Sequence, residues 1–502
     1  MADSTATTAR PGSPHGATAG GRRRTRRART LAGALGVTVL GAVLPGAGFL
    51  WGRRIVLGLL VLVPALGVVA AVPFQVRDLE TALNLAVDPS RLKVVAWVLG
   101  GVLLLWAVTV VATYWLVRPR DLSRPAGFLG GALVALLCLA VAAPVTLSAY
   151  YARVQADLVT HVFKDNRTAT APLVTMEDPW GGHDRVNVLL LGGDGSVTRE
   201  GVRTDTVILM SMDTRTGDTV MFSLPRNMMN AQFPVDSPLH DLYPDGFRGD
   251  GDPAAWMLNA VYGQVPILHP GILGRSDNEG ADAVKQAVAG SLGVKVDYYM
   301  LVNLQGFEQI VDAMGGVTVN INEPVAIHGN TDLGIPPVGY LQPGPNQRLN
   351  GYEALWFARG RWGSDDYERM LRQRCMVNAL VEEAKPLNLL RRYQSLAAAG
   401  KEIVRTDIPS KLLPAFVDLS LRIKDASVRS VAFVSSDKFF PGDPDFEWLR
   451  DAVDRALAPQ RDPARPSSPR PTPTDADEPA PTPTVDPGAA TEVADSCAYH
   501  PE

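Results

Sequence analysis

Four apolar stretches, near residues 31–50, 55–73, 94–117 and 126–148, dominate the first third of the chain. Each approaches the roughly 20 residues that carry a helix across a bilayer, where only helices or closed barrels satisfy the backbone's polar groups. Residues 31–149 are therefore expected to form a helical membrane region behind a cytoplasmic Arg-rich tail, 1–30. That tail contains GRRRTRRART, with six Arg directly before the first apolar stretch, which is the pattern of a cytoplasmic membrane flank rather than a nucleic-acid arm. Charge placement then decides how many stretches cross. With four crossings, Arg53, Arg54, Arg118, Arg120 and Arg124 would all face outward, against the positive-inside bias. Three crossings remove that conflict. In that arrangement the first stretch, broken by Pro45 and Gly46, is re-entrant or interfacial, the loop RPRDLSRP stays inside, and everything after about residue 150 is extracytoplasmic. A cleaved signal peptide over 22–50 fits less well, because three further spans follow.

The 502 residues leave room for a large globular domain beyond the membrane region. Residues 150–184 read as a stalk, and from 185 to 457 strand-length apolar runs alternate with helical periodicities, which predicts an α/β domain. VNVLLLG, TVILMSM and TVMFSLP are near-continuous apolar runs, as expected of strands covered on both faces, with MDTRTGDT as a hairpin-like turn. Helices are expected over AAWMLNAVYG, ADAVKQAVAGSLG and FEQIVDAMGG, strands over DYYMLVNL and VTVNI, and a long surface loop over 323–349. Residues 458–502 are rich in Pro, Thr, Ala and Asp and are expected to be a disordered tail. Three Cys make no disulfide framework: Cys138 lies in a span, and a bridge between Cys375 and Cys497 is disfavoured.

LLLGGDGS follows a strand, but a second strand comes next and no helix opens, so neither dinucleotide nor Walker chemistry fits. It leaves Asp194 among glycines at a strand end, as a ligand or as a turn Asp. Arg203, Asp205 and Arg226 flank the next two apolar runs, and taken alone would be surface ion-pair residues. FARGRWGSDDYERMLRQR shifts that balance. Arg359 and Arg361 precede a helix on which Asp366, Arg369 and Gln373 fall within about 60° of one another. An amphipathic helix accounts for the stripe of Tyr367, Met370, Leu371, Val377 and Val381, but not for so many guanidiniums. Planar Arg forks suit phosphate oxygens, and a pair of carboxylates suits Mg²⁺, so the parts are those of phosphoryl transfer. HExxH, paired CxxC and GxSxG are absent, and His183, His240, His269 and His328 read as ordinary loop residues.

VNVLLLGGDGS, RTDTVILMSMD, FSLPRN, LNAVYG, DYYMLVNLQGFEQIVDAMGGVTVNI and LNGYEALWFARGR…DDYERMLRQR occur in the order that resembles the LytR-CpsA-Psr family of bacterial cell-wall glycopolymer ligases, over roughly residues 185 to 385. The resemblance implies an α/β/α sandwich with an apolar cavity for a polyprenyl chain, on a membrane anchor. It implies transfer of a glycan phosphate from a polyprenyl-pyrophosphate carrier to a peptidoglycan hydroxyl, with release of polyprenyl phosphate. Asp194 and Asp205 would hold Mg²⁺ or Mn²⁺, with Asp205 also a candidate base. Arg226, Arg359, Arg361 and Arg369 would grip the pyrophosphate, supported by Arg203, Asp366 and Gln373. Partners implied are the lipid-linked glycan, peptidoglycan and the bilayer, with no nucleic acid. A non-catalytic binder of lipid-linked precursors and a pyrophosphatase using water as acceptor are the alternatives. The chain departs from the family pattern at Asn227, at Gly195 and Ser196, and at Met257 and Leu258.

Overall fold

The computed structural model describes residues 26–75, 79–163, 168–193, 203–329, 331, 334–383, 404–424, 426–458 and 488–500. The chain divides into two compact units, Met1–Arg77 with Val95–Tyr150 and Asp78–Val94 with Tyr151–Glu502.

In the first unit the leading apolar stretch is two helices, α1 (Leu31–Val43) and α2 (Ala47–Trp51), separated where Pro45 and Gly46 interrupt the pattern. Gly46 takes φ 97°, and a Cβ there would meet the Gly58 carbonyl, so the break requires glycine. α3 spans Ile55–Gln75. Among the described residues two helices are long and apolar enough to cross a membrane, α5 (Pro89–Val117) and α6 (Arg124–Val162), while Leu31–Val43 and Ile55–Gly67 are shorter apolar stretches. Small residues bring these helices together: Gly41 and Gly48 lie against Thr113, and Gly130 against Tyr114.

The second unit opens with α4 (Leu79–Val87), whose Asn84 donates to Asp418 at 3.1 Å. Its core is a seven-stranded mixed sheet in the order β11-β10-β3-β2-β1-β4-β9. The strands are β1 (Arg185–Gly193), β2 (Thr204–Asp213), β3 (Thr219–Leu224), β4 (Tyr298–Asn303), β9 (Val404–Thr406), β10 (Val428–Ala432) and β11 (Thr491–Glu492). β1, β2 and β3 run antiparallel in succession, while β1–β4 and β3–β10 are parallel. The β2–β3 turn forms as the sequence predicts: Asp213 Oδ1 accepts from the backbone of Arg215 and Thr216, and Gly217 takes φ 85°.

Strand alternation gives the sheet two different faces. Leu189, Leu191, Val207 and Leu209 pack into the main core with α8 (Leu258–Leu268), α9 (Glu279–Leu292) and α14 (Phe446–Leu457). α7 (Pro238–Leu242) lies in the loop that leads to α8. Val188, Leu190, Ile208 and Met210 point the other way, into a cavity lined also by residues of α10 (Leu304–Met314), α11 (Gly351–Arg359), α12 (Asp366–Glu383) and α13 (Leu413–Ile423). Helices on both faces make the expected α/β/α sandwich. α11 starts with a capping box between Asn350 and Glu353, and α9 ends on Gly293 at φ 72°.

Four expectations are corrected. Residues 168–184 are not a stalk: Ala171, Val174 and Trp180 pack against a core containing Val186 and Leu412, because apolar side chains punctuate the segment. The expected loop 323–349 contains three strands, β6 (Val325–Ile327), β7 (Gly339–Leu341) and β8 (Gly344–Leu349), in two small ribbons; β8 pairs with β5 (Val317–Ile321). Their Pro and Gly content concealed short pairings that tertiary contacts stabilise. The tail is folded over 488–500, where β11 adds to the sheet edge and α15 (Val493–Ser496) buries Val493. Cys375 and Cys497 form a disulfide across 122 residues. Asn320 donates to the Cys497 carbonyl at 2.9 Å and Asn322 to that of Ala498 at 3.1 Å, which seats this segment beside α12. Residues 459–487 lie outside the described residues.

Within the second unit Lys285 is fully buried on α9, 2.6 Å from Asp407 and donating to the Asp297 carbonyl at 2.9 Å. Asp407 also accepts from the Tyr299 backbone at 2.7 Å. Lys285→Met strands the buried carboxylate, and is expected to cost about 3–5 kcal/mol, read as a fall in the thermal unfolding midpoint.

Candidate active site

β2 and β3 are antiparallel neighbours with Val207 opposite Leu224, so the start of one and the end of the other lie at the same end of the sheet. Asp205, second in β2, and Arg226, which follows Pro225 past the end of β3, therefore meet: Arg226 Nη1 donates to Asp205 Oδ1 at 2.7 Å. The parallel β1–β4 pair delivers Gly192 and Leu304 to the same end. The opposite wall comes from the last turn of α11 and the first two turns of α12.

Asp366 joins the walls. It lies 2.9 Å from Arg369 Nη2, 3.7 Å from Arg226 Nε and 4.0 Å from Arg361 Nη1. Its place in the first turn of α12 suits a carboxylate, which the positive end of the helix dipole favours. Arg369 is only 3% exposed. Burial pushes its guanidinium pKa down and Asp366 opposes that shift, with Arg226 adding like-charge pressure; an Arg stays charged nonetheless. Its Nε is buried without a hydrogen-bond partner among the described residues. A buried charged donor of that kind is costly unless an anion takes it.

These side chains line a polar cavity of about 380 Å³ containing Asp205, Arg359, Arg361, Asp366, Arg369 and Gln373. Arg226 joins it through its two acid partners. An apolar cavity of about 420 Å³ adjoins it, lined by Leu190, Met210, Met300, Phe307, Met376, Val377 and Phe416 among others. Gly192, Thr206, Leu304, Arg359 and Gln373 line both. A Cβ on Gly192 would come within 2.9 Å of the Thr206 hydroxyl, so glycine keeps this junction open. Of the residues expected from sequence, Arg203 stands exposed at the start of β2 and is not part of the cavity wall. Asp194, next after the last residue of β1, lies outside the described residues.

Sequence reasoning missed Arg372. Its Nε donates to the Phe357 carbonyl at 2.9 Å, and its Nη2 to the Gly360 carbonyl and, at 3.4 Å, to the Ser364 hydroxyl. Burial lowers the Arg372 pKa, opposed by Glu368. One guanidinium on α12 thus ties the end of α11, which carries Arg359, to the turn that carries Arg361. Its position three residues after Arg369 was the available signal. Also missed were His328, Trp356, Trp362 and Ser364, all in the cavity wall.

A cleft of guanidiniums and carboxylates thus lies at the strand ends of an α/β/α sheet, beside an apolar chamber. The chain belongs to the LytR_cpsA_psr family, whose model matches residues 150–454. It is 26% identical over 282 residues to Biofilm regulatory protein A of Streptococcus mutans, covering 52% of this chain and 59% of that protein. It is 27% identical over 227 residues to the polyisoprenyl-teichoic acid–peptidoglycan teichoic acid transferase TagU of Enterococcus faecalis, covering 44% and 61%. The match thus spans about three fifths of the length of these curated relatives. Among solved structures, protein gbs0355 from Streptococcus agalactiae aligns with 24% identity and a TM-score of 0.41, over 54% of this chain and 87% of that one.

Arg372→Met frees two carbonyls that a charged donor now satisfies. Affinity for inorganic pyrophosphate is expected to fall on the order of tenfold in calorimetry, with uptake of an apolar dye by the neighbouring cavity unchanged.

Proposed function

We propose that this chain is a membrane-anchored phosphotransferase that moves a glycopolymer from a polyprenyl-pyrophosphate carrier onto a peptidoglycan hydroxyl and releases polyprenyl phosphate. The observation that carries this reading is the junction of the two cavities: a guanidinium-walled cleft opens through Gly192, Thr206 and Leu304 onto an apolar chamber. A lipid diphosphate has that division, anionic at one end and hydrocarbon at the other. The name of TagU supports the same reading, as do the two apolar helices long enough to anchor the chain.

In this reading Arg359, Arg361 and Arg369 grip the diphosphate, with Arg226 behind them. The acceptor oxygen attacks the sugar-side phosphorus, and the bond from that phosphorus to the bridging oxygen breaks. Polyprenyl phosphate leaves with the electron pair. The guanidiniums stabilise charge on the phosphoryl oxygens throughout, the main task of a protein in such transfers. Asp205, oriented by Arg226, takes the acceptor's proton.

A Mg²⁺ or Mn²⁺ would be held by Asp205 with Asp194, and when bound would neutralise charge on the phosphoryl oxygens. Asp194 lies outside the described residues, so the reading rests on Asp205 and on the chemistry of the ion. Among the described residues no three His, Cys, Asp or Glu side chains gather around a point, and Mg²⁺ commonly takes one or two carboxylates plus substrate phosphates.

The full chain, given a polyprenyl-pyrophosphoryl sugar, Mg²⁺ and peptidoglycan fragments, is expected to join sugar phosphate to the acceptor. Free sugar phosphate would identify a hydrolase instead, and an intact carrier a binding protein. Arg226→Ala and Asp205→Ala should each abolish transfer with the unfolding midpoint little changed; near-normal turnover by either would remove these residues from the mechanism. Chelation of divalent cations should stop turnover and re-addition of Mg²⁺ restore it. Activity that survives exhaustive chelation would show that the guanidiniums suffice.

A further inference from the structure

The apolar chamber has two ends, and only one of them belongs to the polar cleft. Val188 to Gly192 on β1 and Gln373 to Val381 on α12 both run along its wall, which gives it a length of about 12–13 Å at the ordinary rise of a helix or a strand. Gly192 and Gln373 mark the junction with the cleft. Val188, Met212, Val381, Ile408 and Phe416 mark the far end. That end reaches the surface, since Val381 is 53% exposed. Apolar groups fringe it: Trp180 packs edge-on against Phe416 at 5.1 Å, and the segment leading to Trp180 leaves Leu173 and Met176 exposed.

The second unit is joined to the apolar helices through residues 78–94 and through Tyr151. Both connections arrive at this far end. In the first, α4 sits on α13, the helix that carries Phe416, and Asn84 Nδ2 donates to Asp418 Oδ1 at 3.1 Å. α5, long enough to cross a membrane, begins at Pro89, soon after Asn84. In the second, Phe163 follows the end of α6 and packs against the cluster that contains Ile408, Leu412 and Phe416.

We infer that the far end is where a polyprenyl chain passes between chamber and bilayer, and that α4 braces it there, with Asn84 and Asp418 as positioning residues. The inference rests on the phosphotransferase reading and deepens it. A chamber of this length holds only the first isoprene units of a long carrier. The remainder must stay out of water, because hydrating apolar surface is unfavourable, and a bilayer is the hydrocarbon at hand. An exit beside the guanidiniums would bring charged groups against hydrocarbon, which is costly. At the far end the chain meets apolar side chains instead, a few residues from the ends of α5 and α6. The diphosphate is then held on the side away from the bilayer.

The test compares turnover of two sugar-bearing pyrophosphate carriers by the full chain in vesicles of phosphatidylcholine and phosphatidylglycerol, an undecaprenyl carrier incorporated in the bilayer and a geranyl carrier added from water. The native chain is expected to use both. Asn84→Asp sets like charges against each other at α13, and should raise KM for the undecaprenyl carrier on the order of fivefold, with its kcat and both constants for the geranyl carrier unchanged. Asn84→Asp combined with Asp418→Asn restores the hydrogen bond with donor and acceptor exchanged, and should recover the native KM. An Asn84→Asp variant that treats the two carriers alike, impaired or native-like, overturns the proposal, and so does an exchanged pair that fails to recover. Turnover of the geranyl carrier alone by the native chain overturns the route from the bilayer and leaves the phosphotransferase reading standing. Turnover of neither carrier overturns that reading itself.

Discussion

Asp366 holds together side chains that would otherwise repel one another. Arg226, Arg361 and Arg369 arrive from different elements, and each comes within 4.0 Å of this single carboxylate. Asp205 takes the other face of Arg226. Without these two acids the guanidiniums would have to stay apart or remain solvated, because like charges brought into a partly buried space repel strongly. The acids leave the cluster with excess positive charge, and that excess is what an incoming diphosphate would neutralise. Binding and assembly therefore depend on the same electrostatic balance.

The sheet makes the other half of the site possible. Strands covered on both faces are apolar throughout, yet in this sheet the two apolar faces have different fates. One is filled by α8, α9 and α14, and the other is left partly open beneath α11 and α12. The chamber floor is the central sheet itself, and its mouth lies where the strands end in charged residues. Greasy chamber and polar cleft are consecutive segments of the same strands, so neither can shift without the other.

The strands, the main helices and the Arg-bearing segment were legible because their patterns are local. Apolar runs gave β1, β2 and β3, and helical spacing put Asp366, Arg369 and Gln373 on one face. The pairing of Asp205 with Arg226 was not foreseen, although the β2–β3 hairpin that sets the two residues side by side was visible. What escaped notice depended on partners distant along the chain. The ribbons between 325 and 349 are too short to show a period. Arg372 acts on backbone carbonyls, which have no sequence signature. His328 resembled any other loop histidine until the fold set it against Trp356. Arg203 shows the converse: a charged residue beside the right strand, and outside the cavity.

The bond between Cys375 and Cys497 has a topological consequence. It closes the second half of α12 with β9, α13, β10, α14, β11 and α15 into a single covalent ring. A protease that cuts once between residues 376 and 496 opens the ring but releases no fragment. The helix bearing Arg369 and Gln373 stays tethered to the segment around Cys497, so this domain can be nicked without being dismembered.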